Sequence, residues 1–173
     1  MTPSGKRTEA IASRTQFTSS EGDHISLLKI YRAFTKTNNE KEFCSAHYLH
    51  RRHLQFAQEV RKQLISLCQK NEIPIQSCVN HTELVRQALA EGMFTNVARL
   101  TRDGHYVSLD SKQKANIHPS SVLFKNKPEL VVFTELLVTQ KSYMKSLSLV
   151  DATWLTNAQP AYFRQHRIIQ GSE

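Results

Sequence analysis

The sequence predicts an α+β fold, a small N-terminal helical bundle followed by a five-stranded β-barrel, and three observations carry that prediction. Up to about residue 80, apolar residues recur at steps of three and four, the spacing of helices that each bury one face. From Phe94 the period shortens toward two, the spacing of half-buried strands. About five strand-like runs then fall within roughly 55 residues, too few for a sandwich and enough for a small closed barrel.

Residues 1–20 are polar, with Ser-rich ends and only weak helical character around Thr8 to Ser13, and read as a flexible lead-in. Asp23 is placed to cap the helix that follows, in which Leu27, Ile30, Tyr31 and Phe34 share one face. Thr37-Asn38-Asn39 breaks the pattern, and a second segment runs from Glu40 through Leu49. The longest helix is expected from about Arg52 to Lys70, with Leu54, Ala57, Val60, Leu64 and Leu67 as one buried seam. Pro74 ends it, because proline disfavours a helical residue before it and has no N–H to give.

His81 to Gly92 reads as a short helix with Leu84, Val85, Ala88 and Leu89 inward. Val97 to Thr101 and His105 to Leu109 are then two strands about a two-residue Asp103-Gly104 hairpin. Ala115 to His118 follows. The β-branched and aromatic stretch His118 to Phe124 reads as strand-like around a Pro-Ser-Ser turn. The two longest strands are Leu130 to Val138 and Tyr143 to Val150, separated by Thr139-Gln140-Lys141. Asp151 caps a last short helix carrying Trp154 and Leu155. The domain reading is therefore a lead-in over 1–20, a helical segment over 21–80, the barrel with its leading helix over 81–163, and a mobile tail over 164–173.

A chain of 173 residues with 39% hydrophobic content and a mean hydropathy of -0.46 belongs to the soluble globular class. No apolar run approaches the roughly 18 residues of a membrane span, and residues 1–16 lack the apolar core of a secretory signal. Cys44, Cys68 and Cys78 are an odd set without a Cys-x-x-Cys pair, which fits a reducing compartment rather than a disulfide framework or zinc ribbon. The net charge of +8 is spread over both halves: residues 29–70 hold nine Lys/Arg against three acids, and residues 86–173 eleven against seven. That balance is compatible with an anionic partner and also with an ordinary basic protein.

Cys44, His47, His50 and His53 recur every three residues, but a strict step of three drifts around a helix while tetrahedral zinc needs a closed set. They read as chance histidines, not as a metal site. Ser120 with His118 and Asp110 or Asp151 could be drawn as a hydrolytic triad, yet no Gly-x-Ser-x-Gly elbow is present. No Gly-x-x-x-x-Gly-Lys-Ser/Thr loop is present either, so this chain alone has no evident way to hold nucleotide and magnesium and is not expected to be an ATPase.

Two stretches have the tools for a nucleic-acid backbone. In His118-Pro119-Ser120-Ser121 a fixed proline sets two hydroxyls and free amides at a strand end, although an ordinary serine turn uses the same residues. In Lys141-Ser142-Tyr143-Met144-Lys145, alternation puts Lys141, Tyr143 and Lys145 on one face, and Asn96 with Arg99 adds a donor pair on another strand. Tyr143 either faces solvent there or lies in the core with its hydroxyl satisfied.

The same residues carry a resemblance. Ser20-Glu21-Gly22-Asp23-His24, Val60-Arg61-Lys62-Gln63-Leu64, Val85-Arg86-Gln87-Ala88-Leu89, Asn96-Val97-Ala98-Arg99, Ile117-His118-Pro119-Ser120-Ser121-Val122-Leu123-Phe124, Thr134-Glu135-Leu136, Lys141-Ser142-Tyr143-Met144-Lys145 and Trp154-Leu155, in that order, resemble the C-terminal region of DEAH-box ATP-dependent RNA helicases. The resemblance covers residues 20–163. It implies the end of a helical ratchet (HA2) domain followed by an oligonucleotide/oligosaccharide-binding (OB) barrel, packed in the family against two RecA-like motor domains over single-stranded RNA. The motor and winged-helix domains have no counterpart in this sequence.

Carried over by motif, the expected RNA-binding positions are Asn96, Arg99, His118, Ser120, Ser121, Lys141, Tyr143 and Lys145, with Arg99, Lys141 and Lys145 on phosphate, Ser120 and Ser121 on backbone oxygens, and Tyr143 ordering the strand surface. The implied partners are single-stranded RNA, the parent's motor domains and a protein cofactor, without a membrane. ATP and magnesium would belong to the parent's motor and no cofactor to this chain; the implied compartment is the nucleus or nucleolus ahead of the cytoplasm. A protein-docking platform without direct RNA contact is the alternative.

Overall fold

A computed structural model describes residues 7–165. The elements in chain order are α1 (Arg7–Arg14), a 3-10 turn (Thr15–Phe17), α2 (Asp23–Lys36), α3 (Glu40–Ala46), α4 (Arg51–Lys70), α5 (Thr82–Gly92), β1 (Val97–Leu100), β2 (Tyr106–Ser108), β3 (Lys114–Ile117), β4 (Leu130–Val138), β5 (Ser142–Leu149), α6 (Ala152–Ala158) and α7 (Pro160–Gln165). The chain divides into two units, one formed up to Thr18 together with Ser26–Ser77, the other by Ser19–Ile25 together with Cys78 onward.

In the first unit the segment read as a lead-in contains helix α1, whose Ala10 is fully buried. Tyr48 donates to Glu9 (2.6 Å), and His47 Nδ1 lies 3.0 Å from the Ser13 carbonyl oxygen. Phe17, Phe34 and Phe43 form the aromatic nucleus, with ring centroids 6.1 and 6.2 Å apart. Asn39 caps α3 by accepting from the Glu42 amide, but α3 stops at Ala46, short of the expected Leu49, where Tyr48 takes a positive φ of 53°.

Helix α4 matches its expected span and departs from its expected burial. None of its residues is buried, and Phe56, Leu64 and Leu67 are each more than half exposed. The apolar spacing was read correctly as amphipathic; among the described residues too little of the first unit packs on that face to cover it.

The second unit holds the closed barrel β1-β2-β3-β5-β4, antiparallel throughout except for the parallel β3–β5 pair. Its interior is filled by Ala98, Tyr106, Ala115, Ile117, Leu123, Val131, Phe133, Met144 and Leu147. Outside, Val97, Leu109, Leu130, Val132 and Val150 pack with Ala90 of α5, Leu155 of α6 and Phe163 of α7. The first halves of β1 and β4 are thus covered on both faces, which explains the consecutive buried apolar residues Val97-Ala98 and Leu130-Val131-Val132-Phe133. Asp151 caps α6 as expected, accepting from the Thr153 amide at 2.7 Å.

Two turns depart from the sequence reading. The β1–β2 hairpin has a three-residue loop, because the Gly104 amide donates to the Thr101 carbonyl and the Thr101 amide to the His105 carbonyl; Gly104 at φ 79° supplies the left-handed residue such a loop needs. The stretch after His118 is not a strand. Pro119 has no amide to give, and i to i+3 bonds from Ser121 to His118 and from Phe124 to Ser121 wind it into turns that sink Leu123 into the barrel.

The segment Ser19–Ile25, divided by the sequence reading between the lead-in (to residue 20) and the helical segment (from 21), groups with the barrel's unit. Gly22, at φ 130°, bridges to Ser148, and a Cβ there would stand 2.4 Å from the Leu147 carbonyl oxygen, so the close approach needs glycine. Asp23 accepts from the Ser121 hydroxyl (2.7 Å), the Val122 amide (2.9 Å) and the Leu147 amide (2.9 Å). Glu21 accepts from Thr82 and pairs with Arg86 at 3.0 Å. The expected tail begins at Arg164 in α7, and residues 166–173 lie outside the described residues.

Candidate nucleic-acid interface

The outward face of β3 and β5 is set by alternation. Ala115 and Ile117 point into the barrel, so Lys114, Asn116 and His118 point out. Met144 is fully buried, so Lys141, Tyr143 and Lys145 point out beside them, as expected. Asn116 lies directly opposite Tyr143 across the parallel pair. The ring of His118 meets that of Tyr143 edge-on with centroids 5.9 Å apart, which places Tyr143 on the surface instead of in the core.

Alternation on β5 ends at Ser146, which has φ 52° and drops out of pairing with Thr134. Leu147 thereby returns to the interior, and Asp23 takes its amide. The basic-aromatic face therefore covers the first half of β5 only.

Each residue named from sequence has a definite place. His118 Nδ1 lies 2.7 Å from the Ser120 hydroxyl and accepts from the Ser120 amide at 3.2 Å. Ser120 is exposed; Ser121 is buried, with its hydroxyl committed to Asp23. Lys141 is exposed and has no ion-pair partner among the described residues. Lys145 pairs with Glu135 across the β4–β5 ladder at 3.0 Å, and Arg99 pairs with Glu129 at 3.0 Å. These are surface pairs, worth about 0–1 kcal/mol each, so a phosphate can compete for either cation. Asn96 stands at the entry to β1, where its carbonyl accepts from the Phe133 amide.

His118, Ser120, Lys141, Tyr143 and Lys145 thus form one surface, while Ser121 is structural. Lys114 and Asn116 belong to that surface and were not singled out from sequence, although the apolar alternation of Ala115 and Ile117 carried the signal. The Ser120–His118 pair has no carboxylate to orient it from either acid considered: Asp110 accepts from the Tyr162 hydroxyl, and Asp151 caps α6.

A closed five-stranded barrel of this strand order is an architecture in which the β2–β3 face and the β1–β2 and β4–β5 loops are the usual ligand-binding surface. Residues 85–162 match the family model for the oligonucleotide/oligosaccharide-binding (OB) fold. Over 163 residues, 94% of this chain, the sequence is 45% identical to the mouse ATP-dependent RNA helicase DHX33 and 37% identical to the fission yeast pre-mRNA-splicing factor ATP-dependent RNA helicase prp22. The chain carries the OB-fold domain of DEAH-box RNA helicases.

A human relative, the probable ATP-dependent RNA helicase DHX35, is 34% identical over a similar span. The chain covers 23% of the length of the DHX33 and DHX35 relatives and 14% of prp22. What it shares with these helicases is therefore under a quarter of their length.

Proposed function

We propose that this chain is an RNA-binding accessory module of a DEAH-box RNA helicase, one that grips single-stranded RNA while the ATP-driven motor lies elsewhere in the parent protein. The observation that carries the reading is the shared outward face of β3 and β5, where the exposed Lys141, the exchangeable Lys145 and Lys114 join Tyr143 and His118. Ammonium groups neutralise phosphate and the rings offer stacking surface, a combination tolerant of sequence. Ser120 extends the donor set on this face, while Arg99, on β1 between β2 and β4, offers a separate cation. The RecA-like motor domains are the proposed intramolecular partner, with ATP and magnesium held there, and the splicing-factor relative supports a nuclear or nucleolar parent.

Binding of labelled single-stranded oligouridylate to this chain, followed by fluorescence anisotropy across a salt series, tests it. Affinity should fall as salt rises, and the double variant Lys141→Ala, Lys145→Ala should flatten the log–log slope by about 1.4, since each neutralised single-strand phosphate contributes about 0.7. An unchanged slope would remove both lysines from the interface.

A second reading, docking of a protein partner or of the motor domains without RNA contact, is favoured by the uncovered apolar face of α4. It predicts no oligouridylate binding even at low salt.

A further inference from the structure

Beside the basic face, Gly104 of the β1–β2 loop, Tyr106, Asn116, Ile117, Phe124 and Lys127 enclose a cleft of about 130 Å³. Its floor is apolar, since Ile117 and the ring of Tyr106 belong to the barrel interior. The Tyr106 hydroxyl is already spent on the Pro128 carbonyl at 2.6 Å, so the floor offers a ring and no polar group. One wall is Phe124, an aromatic side chain left 43% exposed. The rim is polar: the Asn116 amide presents both a donor and an acceptor, and the Lys127 ammonium, which gives one proton to the Gly104 carbonyl at 3.2 Å, keeps two more.

The turns that follow His118 build this wall. The Asn126 and Lys127 amides both donate to the Leu123 carbonyl, and Lys127 sits at φ 38°. With Leu123 sunk in the barrel, its neighbour Phe124 is held at the surface by a short, fixed segment.

We infer that this cleft receives a single unstacked nucleobase, its face against Phe124 and its hydrogen-bonding edge toward Asn116 and Lys127. This deepens the RNA reading above and rests on it for the source of the base. An apolar slot with one aromatic wall and a mixed donor–acceptor rim suits a flat heteroaromatic molecule, whereas a bare phosphate would leave the aromatic wall unused. Because Asn116 is opposite Tyr143, a strand whose phosphates lie on Lys141 and Lys145 can turn a base into the cleft from the same face.

Two measurements on the full chain test the site separately from RNA binding as such. The first compares oligouridylate with an abasic ribose-phosphate chain of equal length, on the native sequence and on Phe124→Ser and Asn116→Ala, both altering exposed positions. The cleft predicts that Phe124→Ser weakens oligouridylate binding about tenfold and leaves the abasic chain unaffected. The second titrates uridine and adenosine, which carry no phosphate, and follows the Asn116 side-chain amide and Phe124 ring signals by NMR. Shifts at those two residues support the cleft even where no oligonucleotide binds, the outcome that would sink the RNA reading alone. Equal binding of abasic and base-bearing chains, with no nucleoside shifts at Asn116 or Phe124, overturns the cleft and spares the lysine face.

Discussion

At the scale of single residues, His24 shows how this protein uses a polar group buried away from water. Its Nδ1 lies 2.9 Å from the Ser148 hydroxyl, and its Nε2 is buried with no hydrogen-bond partner among the described residues. Burial holds its pKa below the ordinary imidazole value of about 6.5, against the opposing pull of the adjacent Asp23 carboxylate. The folded state thus keeps His24 neutral while the unfolded chain takes up a proton near pH 6.5. Stability from this group is fully present above about pH 6.5 and is lost as pH falls below it. Urea midpoints measured at about pH 7.5 and about pH 5.5 should therefore differ more in the native protein than in His24→Gln. Equal differences in the two proteins would show that some other group sets the pH response.

At the scale of elements, two leucines in different settings met opposite fates. Leu123 sits in a turn yet is fully buried inside the barrel, whereas Leu67 sits on the longest described helix and is 53% exposed. Leu123→Ala should cost about 2–5 kcal/mol through lost contacts and the cavity left behind. Leu67→Ser should change stability by no more than about 0.5 kcal/mol. Chemical denaturation of the two variants checks the contrast, and a large loss from Leu67→Ser would mean that the α4 face is covered after all. Periodicity reports which face of an element is apolar; it is silent on whether anything arrives to cover it. After His118 the Pro-Ser-Ser turn was legible in the sequence, but the second turn, closed by the Phe124 amide on the Ser121 carbonyl, was not.

At the scale of the whole molecule, the two units are built to different standards. Both large hydrophobic clusters belong to the second unit, while the longest helix of the first buries none of its residues. Amide hydrogen exchange should therefore be faster in α4 than in β4 and β5, by at least about tenfold; equal protection would refute the difference. Much of this architecture was legible in the sequence: β4 spans the run Leu130 to Val138, and Met144 points inward as alternation requires. Of the surface, Lys141, Tyr143 and His118 were legible from period and motif, but the role of Ser121 was not. Its partner Asp23 lies 98 residues earlier, and no local pattern reports a contact so distant in the chain. That contact has a practical consequence for anyone transplanting the barrel into another protein. Residues 85–162 mark where the family signature is found, yet a graft cut to those limits would leave behind the short strip from Ser19 to Ile25. The amides of Val122 and Leu147 would then face an empty seat. A portable version must carry that strip along, supplied in trans as a peptide or rejoined through a new linker.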